Sequence, residues 1–398
     1  MAMAEVGATA AGGSNRQALS DDDADGRALF LSWAEARGFS VSTDAVGNLF
    51  VRREGTDPDA APVVLGSHLD TQPTGGRFDG VYGVLGGFEV LETIDDHGVS
   101  TTAPVEVAVW TNEEGSRFPL SMMGSAVWAG AVDLDVARAL VDVDGITVGA
   151  DLDRLGWAGD LPLGRTLAGY LELHIEQGPV LEANGSEIGV VTGVQGFRWL
   201  TVTITGDPVH AGPTPMDARH DPARPLAEVL DGLYRITAEQ GPWARATPAQ
   251  FRSEPVSPNT VPSTIRFSVD IRHPDADVLN GMDRAFRDLL ATSADRYGCQ
   301  WEISVDNDSP PVVFDPGCVE AVEASAAATG RAHERIVSGA GHDACYVAGL
   351  VPAAMVFVPC RDGLSHNESE SIQPAQAEVG AEVLLHAALA LAHTSEDR

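Results

Sequence analysis

Five side chains of the types that bind divalent metal ions occur at widely separated positions in the sequence. They are three imidazoles and two carboxylates: His68, Asp79, Glu114, His174 and His366. This mixture suits zinc, manganese, cobalt or nickel, and it contains no thiolate that would select a softer ion. A carboxylate can also bridge two cations that lie about 3.5–4 Å apart. The residue types therefore predict a centre that holds two divalent metal ions.

Two further carboxylates accompany these ligands. Asp70 follows His68 by two residues on an extended segment, so we expect it to hold the second nitrogen of that imidazole. Glu113 and Glu114 are adjacent and cannot point the same way on a strand, so one can bind metal while the other acts as general base. Each residue alone would more often be an ordinary core or surface side chain. The coincidence of four such segments at strand ends indicates a site.

The elements that must position these residues have an α/β pattern. Apolar runs at 62–66, 105–110, 170–175 and 353–358 predict buried strands that lead into polar residues. Apolar residues at helical spacing over 81–94 predict a helix after the first strand. In α/β folds ligands gather at the carboxyl ends of the strands. The four polar segments are therefore expected to meet at one edge of the sheet.

The pattern changes near Gly196. Alternating apolar residues over 197–206 and 265–271 predict strands that are buried on one face only. Helices are predicted over about 225–240 and 276–297, followed by a strand at 301–305. We therefore expect a smaller α+β domain at 196–312, inserted between the two parts of a catalytic domain, 1–195 and 313–398.

The composition excludes several classes of partner. Acidic residues outnumber basic ones by 58 to 25, and all basic residues are arginine, which gives a net charge of −33. This charge repels nucleic acid and anionic membranes, so we expect neither as a partner. Salt adaptation and a GC-rich genome would each explain the lack of lysine. Four scattered cysteines, no secretory signal and no expected membrane span indicate a cytoplasmic protein.

Longer motifs resemble the hydantoinase/carbamoylase-type amidases of the metallopeptidase and aminoacylase clan. The matching segments are GSHLDTQPTGGRFDGVYGVLGG, WTNEEGSRF, ELHIEQGPVLE, GDPVHAGPTPMDARHD, PNTVPSTIRFSVDIR, SGAGHDA and FVPCRDGLSHNESE. The resemblance extends from about residue 18 to residue 386. It implies a two-metal aminopeptidase-like catalytic domain with an inserted lid and dimerisation domain. The group includes N-carbamoyl-L-amino-acid hydrolases, β-ureidopropionase and allantoate amidohydrolase.

The resemblance also implies roles for the catalytic domain residues. His68 and His174 would each bind one metal, with Asp79 bridging. His366 and Glu114 would complete the second metal, giving two divalent ions per subunit. Glu113 would be the base that activates the attacking water and then protonates the leaving nitrogen.

Four residues would bind a small carboxylate substrate. His210 of one subunit of a homodimer would reach the partner's site and stabilise the oxyanion. Asn259 and Arg272 would grip the substrate carboxylate, for which arginine offers a bidentate fork. Gln177 would contact the ureido group.

Some residues depart from the family pattern, and several functions remain open. Ser263 replaces the usual glycine before the strand to Arg272. Asp362 and Glu368-Ser369 replace commoner small residues, and we expect them beside the pocket, where they can alter substrate choice. The leading hypothesis is hydrolysis of an N-carbamoyl amino acid. The alternatives are an allantoate amidohydrolase, an aminoacylase or dipeptidase, and a non-catalytic binder, which the intact Glu113 disfavours.

Overall fold

The computed structural model describes residues 2–393 and divides into two compact units. The large unit comprises residues up to Gly193 and from Val313 onward, and the small unit is Val194–Val312. The strands are β1 Ser40–Thr43, β2 Leu49–Arg53, β3 Val63–His68, β4 Val105–Trp110, β5 Gly169–Ile175, β6 Ile188–Val194, β7 Gly196–Thr205, β8 Arg245–Glu254, β9 Thr264–His273, β10 Gln300–Ser309, β11 Val312–Val313, β12 His333–Ser338 and β13 Ala353–Val358.

The helices follow the same chain order. They are α1 Asp21–Arg37, α2 Val81–Asp96, α3 Met123–Trp128, α4 Leu134–Arg138, α5 Val148–Leu155, α6 Val180–Asn184, α7 Ala223–Glu239, α8 Ala276–Arg296, α9 Pro316–Ala328, α10 Ala344–Val347 and α11 Pro374–Ala392. Short 3-10 turns occur at Ala2–Glu5, Met216–Ala218 and Arg361–Gly363.

A mixed sheet forms the centre of the large unit. Its strand order is β1-β2-β4-β3-β5-β13-β6-β11, and β12 pairs with β6. The pairs β3–β4, β3–β5 and β5–β13 are parallel. Every residue of β3, β4, β5 and β13 is buried, which explains why these strands are continuous apolar runs rather than alternating ones. Helix α2 packs against β3, β4 and β5, and α11 packs against α2 and α9.

The C-terminal helix α11 is long and apolar enough to cross a membrane by length and composition alone, with a mean hydropathy of 1.2. This corrects the expectation that no segment approaches such a span. In the structure α11 lies against α2, α9, β5 and β13. It buries Val379, Val383, Leu384 and Ala387 there. Packing within the large unit accounts for its apolar residues.

The small unit is an antiparallel sheet of order β10-β7-β9-β8 that packs against α7 and α8. Alternate residues of β7 and β9 enter its core, among them Leu200, Val202, Phe267 and Val269. The sequence did not predict β8, because this strand is mostly exposed, contains Pro248 and has an irregular register after Ala249. Such a strand lacks the alternating apolar pattern on which strand prediction depends.

Candidate metal centre

The metal-binding residue types collect at the carboxyl edge of the parallel strands. His68 is the last residue of β3, and Glu113 and Glu114 follow the end of β4. His174 is the penultimate residue of β5, and His366 lies in the loop after β13. Parallel strands present their carboxyl ends at one edge of a sheet, so the topology brings these distant segments together.

His68, Asp79 and His174 form a buried group whose ligand atoms all lie within 4.8 Å of one another. Asp79 Oδ1 is 3.7 Å from His68 Nε2 and 3.2 Å from His174 Nε2. Gly80 permits this approach, since its φ is +65° and an added Cβ would collide with the His68 ring. Only glycine adopts this conformation readily without displacing the imidazole.

Asp79, Glu114 and His366 form a second group, whose ligand atoms likewise all lie within 4.8 Å of one another. His366 Nε2 is 3.4 Å from Asp79 Oδ2 and 3.3 Å from Glu114 Oε2. The His366 side chain is 53% exposed, so this group faces solvent. Asp79 belongs to both groups, whereas His68 and His174 lie together in the first. This grouping differs from the expectation that the two histidines would each bind a different metal.

Backbone carbonyls orient the two buried imidazoles. His68 Nδ1 is 2.8 Å from the Asp70 carbonyl oxygen, and His174 Nδ1 is 2.9 Å from the Ile175 carbonyl oxygen. In each ring the contact at Nδ1 directs Nε2 towards Asp79, as expected of imidazoles that bind metal. Asp70 therefore does hold His68, but through its main chain and not through its carboxylate, which is 3.9 Å away.

The Asp70 carboxylate instead supports the loop of the two glutamates. It accepts the backbone N–H of Glu113 and that of Glu114, both at 3.2 Å. Glu114 is held further by Gln72, whose side-chain amide donates to Oε2 at 2.7 Å. Glu113 is buried, and its Oε2 lies 3.4 Å from His68 Nε2. The loop thus presents two adjacent carboxylates to different parts of one site.

Burial and mutual repulsion shape the electrostatics of the site. Burial, followed by the charges of nearby carboxylates, raises the pKa of Glu113 and of Glu114 well above the usual value. Burial lowers the pKa of His68 to about 4, which leaves its imidazole neutral at pH 7. Burial would also lower the pKa of His174, but its hydrogen bond to Asp79 and the charge of Asp79 raise it to about 9.

Glu370 is a buried carboxylate that sequence reasoning missed. Its Oε1 accepts the backbone N–H groups of Phe78 at 2.9 Å and Asp79 at 3.0 Å. Its Oε2 lies 3.2 Å from Ser365 Oγ, which is also 2.8 Å from Asp79 Oδ2. A Cβ at Gly76 would collide with the Glu370 carboxyl group. Glu370 therefore ties the loop of Asp79 to the loop that carries His366.

Gln177 lies at the same junction. Its side-chain amide donates to Asp79 Oδ2 at 2.9 Å and to Ser365 Oγ at 3.0 Å, while its Oε1 is buried and has no hydrogen-bond partner within residues 2–393. Asn112, Gln177 and His366 all have left-handed backbone conformations, with φ of 55°, 58° and 52°. Such conformations are costly for residues other than glycine and cluster at functional sites.

The SGAGHDA segment contributes a second buried layer that sequence reasoning did not assign. The His342 ring lies 4.6 Å from the His174 ring between centroids, and Ser125 donates to the Asp343 carboxylate. The possible ligand atoms of Glu172, His174 and His342 also lie within 4.8 Å of one another. However, both Glu172 oxygens already accept hydrogen bonds, among them one from Ser67 at 2.9 Å. This third group is better suited to supporting His174 than to holding a cation.

In the small unit, His210 and Asn259 are neighbours. The Asn259 carbonyl oxygen accepts the N–H of Ala211 at 2.9 Å, and His210 is bridged to Thr260. The exposed His210 ring accepts the N–H of Gly212 at Nδ1, at 3.0 Å, which leaves Nε2 as the nitrogen able to donate. The Asn259 side chain is also exposed and accepts the Ser257 hydroxyl at 2.8 Å.

Arg272 lies at the other end of the same sheet. Its Nη2 is 2.8 Å from Asp270 Oδ2, and its guanidinium is 5.3 Å from the centre of the Phe197 ring. Strand β9 begins at Thr264. Before it, residues 259–263 pair with residues 206–211, so the chain continues away from Arg272 towards Asn259. From Thr264 to Arg272 the strand advances by eight residues, which corresponds to roughly 26 Å at about 3.3 Å per residue. The structure therefore does not bring Arg272 and Asn259 of one subunit together.

The residues that depart from the family pattern have structural partners. The Glu368 carboxylate accepts the hydroxyl of Thr9 in the N-terminal segment. The Asp362 N–H donates to Glu182 Oε2 at 2.8 Å, and the Ser263 hydroxyl donates to the Glu254 carbonyl at 3.0 Å. Each contact holds one chain segment to another, and the contact of Asp362 is made by its backbone. The effect of Asp362 and Glu368 on substrate choice stays a prediction.

A pair of divalent cations fits this set of side chains. The two donor groups share one carboxylate, as a bridged pair requires, and the neutral His68 imidazole can ligate without losing a proton. Cations would also offset the burial and the carboxylate repulsion that together raise the pKa values of Glu113 and Glu114. The fold and the site together define a class of protein: an α/β hydrolase that has two groups of metal-binding side chains and an inserted α+β unit.

Comparison with known proteins agrees with this class. Residues 64–390 match peptidase family M20/M25/M40. An N-carbamoyl-L-amino-acid amidohydrolase of Rhizobium meliloti is 46% identical over 397 residues, covering 100% of this chain and 95% of the relative. An allantoate amidohydrolase of Bacillus subtilis is 32% identical over 385 residues, covering 96% and 93%.

A solved structure is closer still in sequence. It is an amidase of the hydantoinase/carbamoylase family from Burkholderia multivorans, with 51% identity, a TM-score of 0.95, and coverage of 99% of this chain and 96% of that one. The chain therefore belongs to peptidase family M20/M25/M40 and, within it, to the hydantoinase/carbamoylase-type amidases.

Proposed function

We propose that this protein hydrolyses the carbamoyl (ureido) C–N bond of a small N-carbamoyl amino acid, releasing the amino acid, CO2 and ammonia. The observation that carries this proposal is the buried Glu113 beside two donor groups that share Asp79. The name of the Rhizobium meliloti relative, which aligns with the whole chain, supplies the substrate class. Allantoate is the second candidate because the relative that bears that name is less similar.

Two divalent metal ions per subunit would be held by the two groups. His68, Asp79 and His174 would hold one, and Glu114, His366 and the shared Asp79 would hold the other. Zinc, or else manganese, cobalt or nickel, suits these nitrogen and oxygen donors. When bound, such a pair polarises the scissile carbonyl and lowers the pKa of water.

Glu113 would move the protons of the reaction. Its carboxylate takes a proton from the attacking water as the oxygen adds to the carbamoyl carbon. The protonated Glu113 then donates to the leaving nitrogen as the C–N bond breaks, which yields the amino acid and carbamic acid. Carbamic acid decomposes to CO2 and ammonia. Gln177, whose Oε1 has no hydrogen-bond partner in the described part of the chain, would accept a hydrogen bond from the ureido group.

The small unit would complete the site of a partner subunit in a homodimer. His210 and Asn259 are neighbours beyond the start of β9 at Thr264, whereas Arg272 lies eight residues further along that strand, roughly 26 Å from Thr264 at a rise of about 3.3 Å per residue. A small carboxylate cannot span that distance, so the three side chains of one subunit cannot serve one substrate. We infer that His210 and Asn259 enter the partner's site together, where Arg272 of that other subunit binds the carboxylate.

Subunit mixing tests this arrangement. His210→Ala and Glu113→Gln proteins are each expected to be nearly inactive. If the site is shared, a mixed dimer has one site with both lesions and one with neither, so activity should return after subunit exchange. Asn259→Ala should behave like His210→Ala and complement Glu113→Gln, whereas Arg272→Ala should fail to complement it. No recovery in dimers verified by mass would contradict the shared site.

Turnover of a substrate panel tests the reaction itself. The panel contains several N-carbamoyl-L-amino acids, N-carbamoyl-β-alanine, allantoate, an N-acetyl amino acid and a dipeptide. Release of ammonia and amino acid from a carbamoyl compound is the expected result. Preferred cleavage of allantoate, or of the acetyl or peptide bond, would instead support an alternative activity. The four cysteines are free thiols, in keeping with a cytoplasmic location for this reaction.

A further inference from the structure

A cavity of about 260 Å³ opens on the small unit, away from the residues discussed so far. Its lining is Thr201, Gln250, Arg252, Arg266, Phe267 and Ser268. Thr201 and Ser268 are paired across β7 and β9. They alternate with core residues such as Leu200 and Val202, so they face away from α7 and α8. The cavity therefore lies on the sheet face that the helices do not cover.

Two arginines face each other at one end of this cavity. Arg252 of β8 and Arg266 of β9 are direct cross-strand partners. Side chains in such positions begin about 4.5–5.5 Å apart, and like charges placed there destabilise a sheet. Within residues 2–393 neither guanidinium has an ion pair or hydrogen bond. This is unusual in a chain with 58 acidic residues, where most other arginines contact a carboxylate or a backbone carbonyl.

Neutral donors line the rest of the cavity. The Ser268 hydroxyl and the Gln250 side-chain amide likewise have no hydrogen-bond partner among the described residues. Gln250 lies in the irregular stretch of β8 between Ala249 and Arg252, where its φ is +53°. Irregularities of this kind bend a strand and redirect its side chains, and they are common beside functional sites.

Two carboxylates near this cavity have other partners. Asp306 Oδ2 accepts the Thr201 hydroxyl at 2.6 Å, and Asp306 Oδ1 accepts the Ser304 hydroxyl at 3.1 Å. Asp270, two residues beyond Ser268, is paired with Arg272 at 2.8 Å. Glu254 of β8 and Glu302 of β10 lie on the same sheet face by register. None of these four carboxylates forms an ion pair with Arg252 or Arg266 within residues 2–393, so both guanidiniums remain available to a ligand.

We propose that this cavity binds a compact tetrahedral dianion, either inorganic phosphate or the phosphoryl group of a phosphomonoester. Two guanidiniums offer forked donors that match phosphate oxygens. A dianion between them removes the cross-strand repulsion, and Ser268 and Gln250 supply further donors. The site is separate from the proposed substrate residues of the small unit, since it uses neither Arg272 nor the His210 loop.

Calorimetric titration of the metal-loaded enzyme with inorganic phosphate at low ionic strength tests the proposal. The variants are Arg252→Ala, Arg266→Ala and the double substitution. The matched control is Arg284→Ala, which removes one exposed arginine on α8 that also has no partner within residues 2–393. Any binding of phosphate at the metal centre is common to all the proteins and cancels in the comparison.

The double variant should lose one binding event per chain, or bind phosphate at least tenfold more weakly at that event, whereas Arg284→Ala should match the unmodified protein. A titration with adenosine monophosphate separates the two sources. If the unmodified protein binds adenosine monophosphate and the double variant does not, the ligand is a phosphomonoester. If the unmodified protein binds phosphate but not adenosine monophosphate, the ligand is the free ion. Identical isotherms for all variants would overturn the proposal. So would an equal loss in Arg284→Ala, or conversion of the double variant to monomers, which would assign the arginines to a subunit contact.

Discussion

Replacing Glu370 with alanine should weaken metal binding, although Glu370 is not among the proposed ligands. The substitution removes the acceptor of the Phe78 and Asp79 N–H groups and the neighbour of the Ser365 hydroxyl. Each buried group left without a partner costs about 1–3 kcal/mol. Asp79 belongs to both donor groups, so a displaced Asp79 loop affects both metal positions. Loss of such supporting contacts typically lowers metal affinity about 10–100-fold.

Glu370→Gln is the matched control. Burial and the charge of Asp79 raise the pKa of Glu370 to about 7, so glutamine resembles the protonated acid in shape and charge. Its carbonyl oxygen can still accept both N–H groups, and its amide can donate to Ser365. We expect glutamine to retain metal affinity within a few-fold and alanine to lose it.

The assay is titration of metal-free protein with zinc or manganese in competition with a chelating indicator, alongside urea unfolding of the same samples. Glu368→Ala, two residues before Glu370 in sequence but hydrogen-bonded to Thr9, controls for general loosening of the loop. Alanine at position 370 with unchanged metal affinity would refute the argument that Glu370 positions Asp79. Equal losses in the alanine and glutamine variants would show that its charge matters more than its hydrogen bonds.

Three further predictions concern the centre itself. Glu113→Gln should keep the metals but lower kcat by about 10²–10⁴-fold, the usual contribution of a general base. A fall in kcat of less than about tenfold would exclude Glu113 as the general base. Glu114→Gln should reduce occupancy of one metal by elemental analysis, while full occupancy of both would remove it from the ligand set. The pKa of His174 is raised to about 9 in the metal-free protein, so below that pH a metal must displace its proton. Metal affinity should therefore fall as the pH falls from 9 to 7, with proton release in calorimetry; pH-independent affinity would contradict this.

The sequence predicted that the candidate metal-binding residues would lie together, because their positions depend on a simple rule. Buried strands such as β4 and β13 are short continuous apolar runs, and their observed bounds of 105–110 and 353–358 are those predicted. Parallel strands must place their following loops at one edge. Residue type and strand order together therefore locate His68, Glu114 and His366 without knowledge of any side-chain conformation.

The supporting contacts could not be predicted in the same way. Asp70 was expected to hold His68 by its carboxylate, but the turn after β3 places its carbonyl oxygen there instead. Glu370 has no signal in the sequence beyond its position four residues after His366. Its role depends on the packing of two loops that are nearly 300 residues apart in the chain. Hydrogen bonds of this kind depend on loop conformation, which hydrophobic periodicity does not encode.

The small unit shows how strand geometry separates residues that are close in the chain. The family resemblance implies that Asn259 and Arg272 bind one carboxylate, yet an extended strand carries the chain away at about 3.3 Å per residue. His210 and Asn259 are far apart in the chain, yet antiparallel pairing makes them neighbours. On the proposed roles, a single subunit cannot offer both its oxyanion donor and its carboxylate anchor to one substrate. The proposed two-fold dimer would resolve this, because the same surface of each subunit would contact the other. Each site would then receive His210 and Asn259 from one chain and Arg272 from the other.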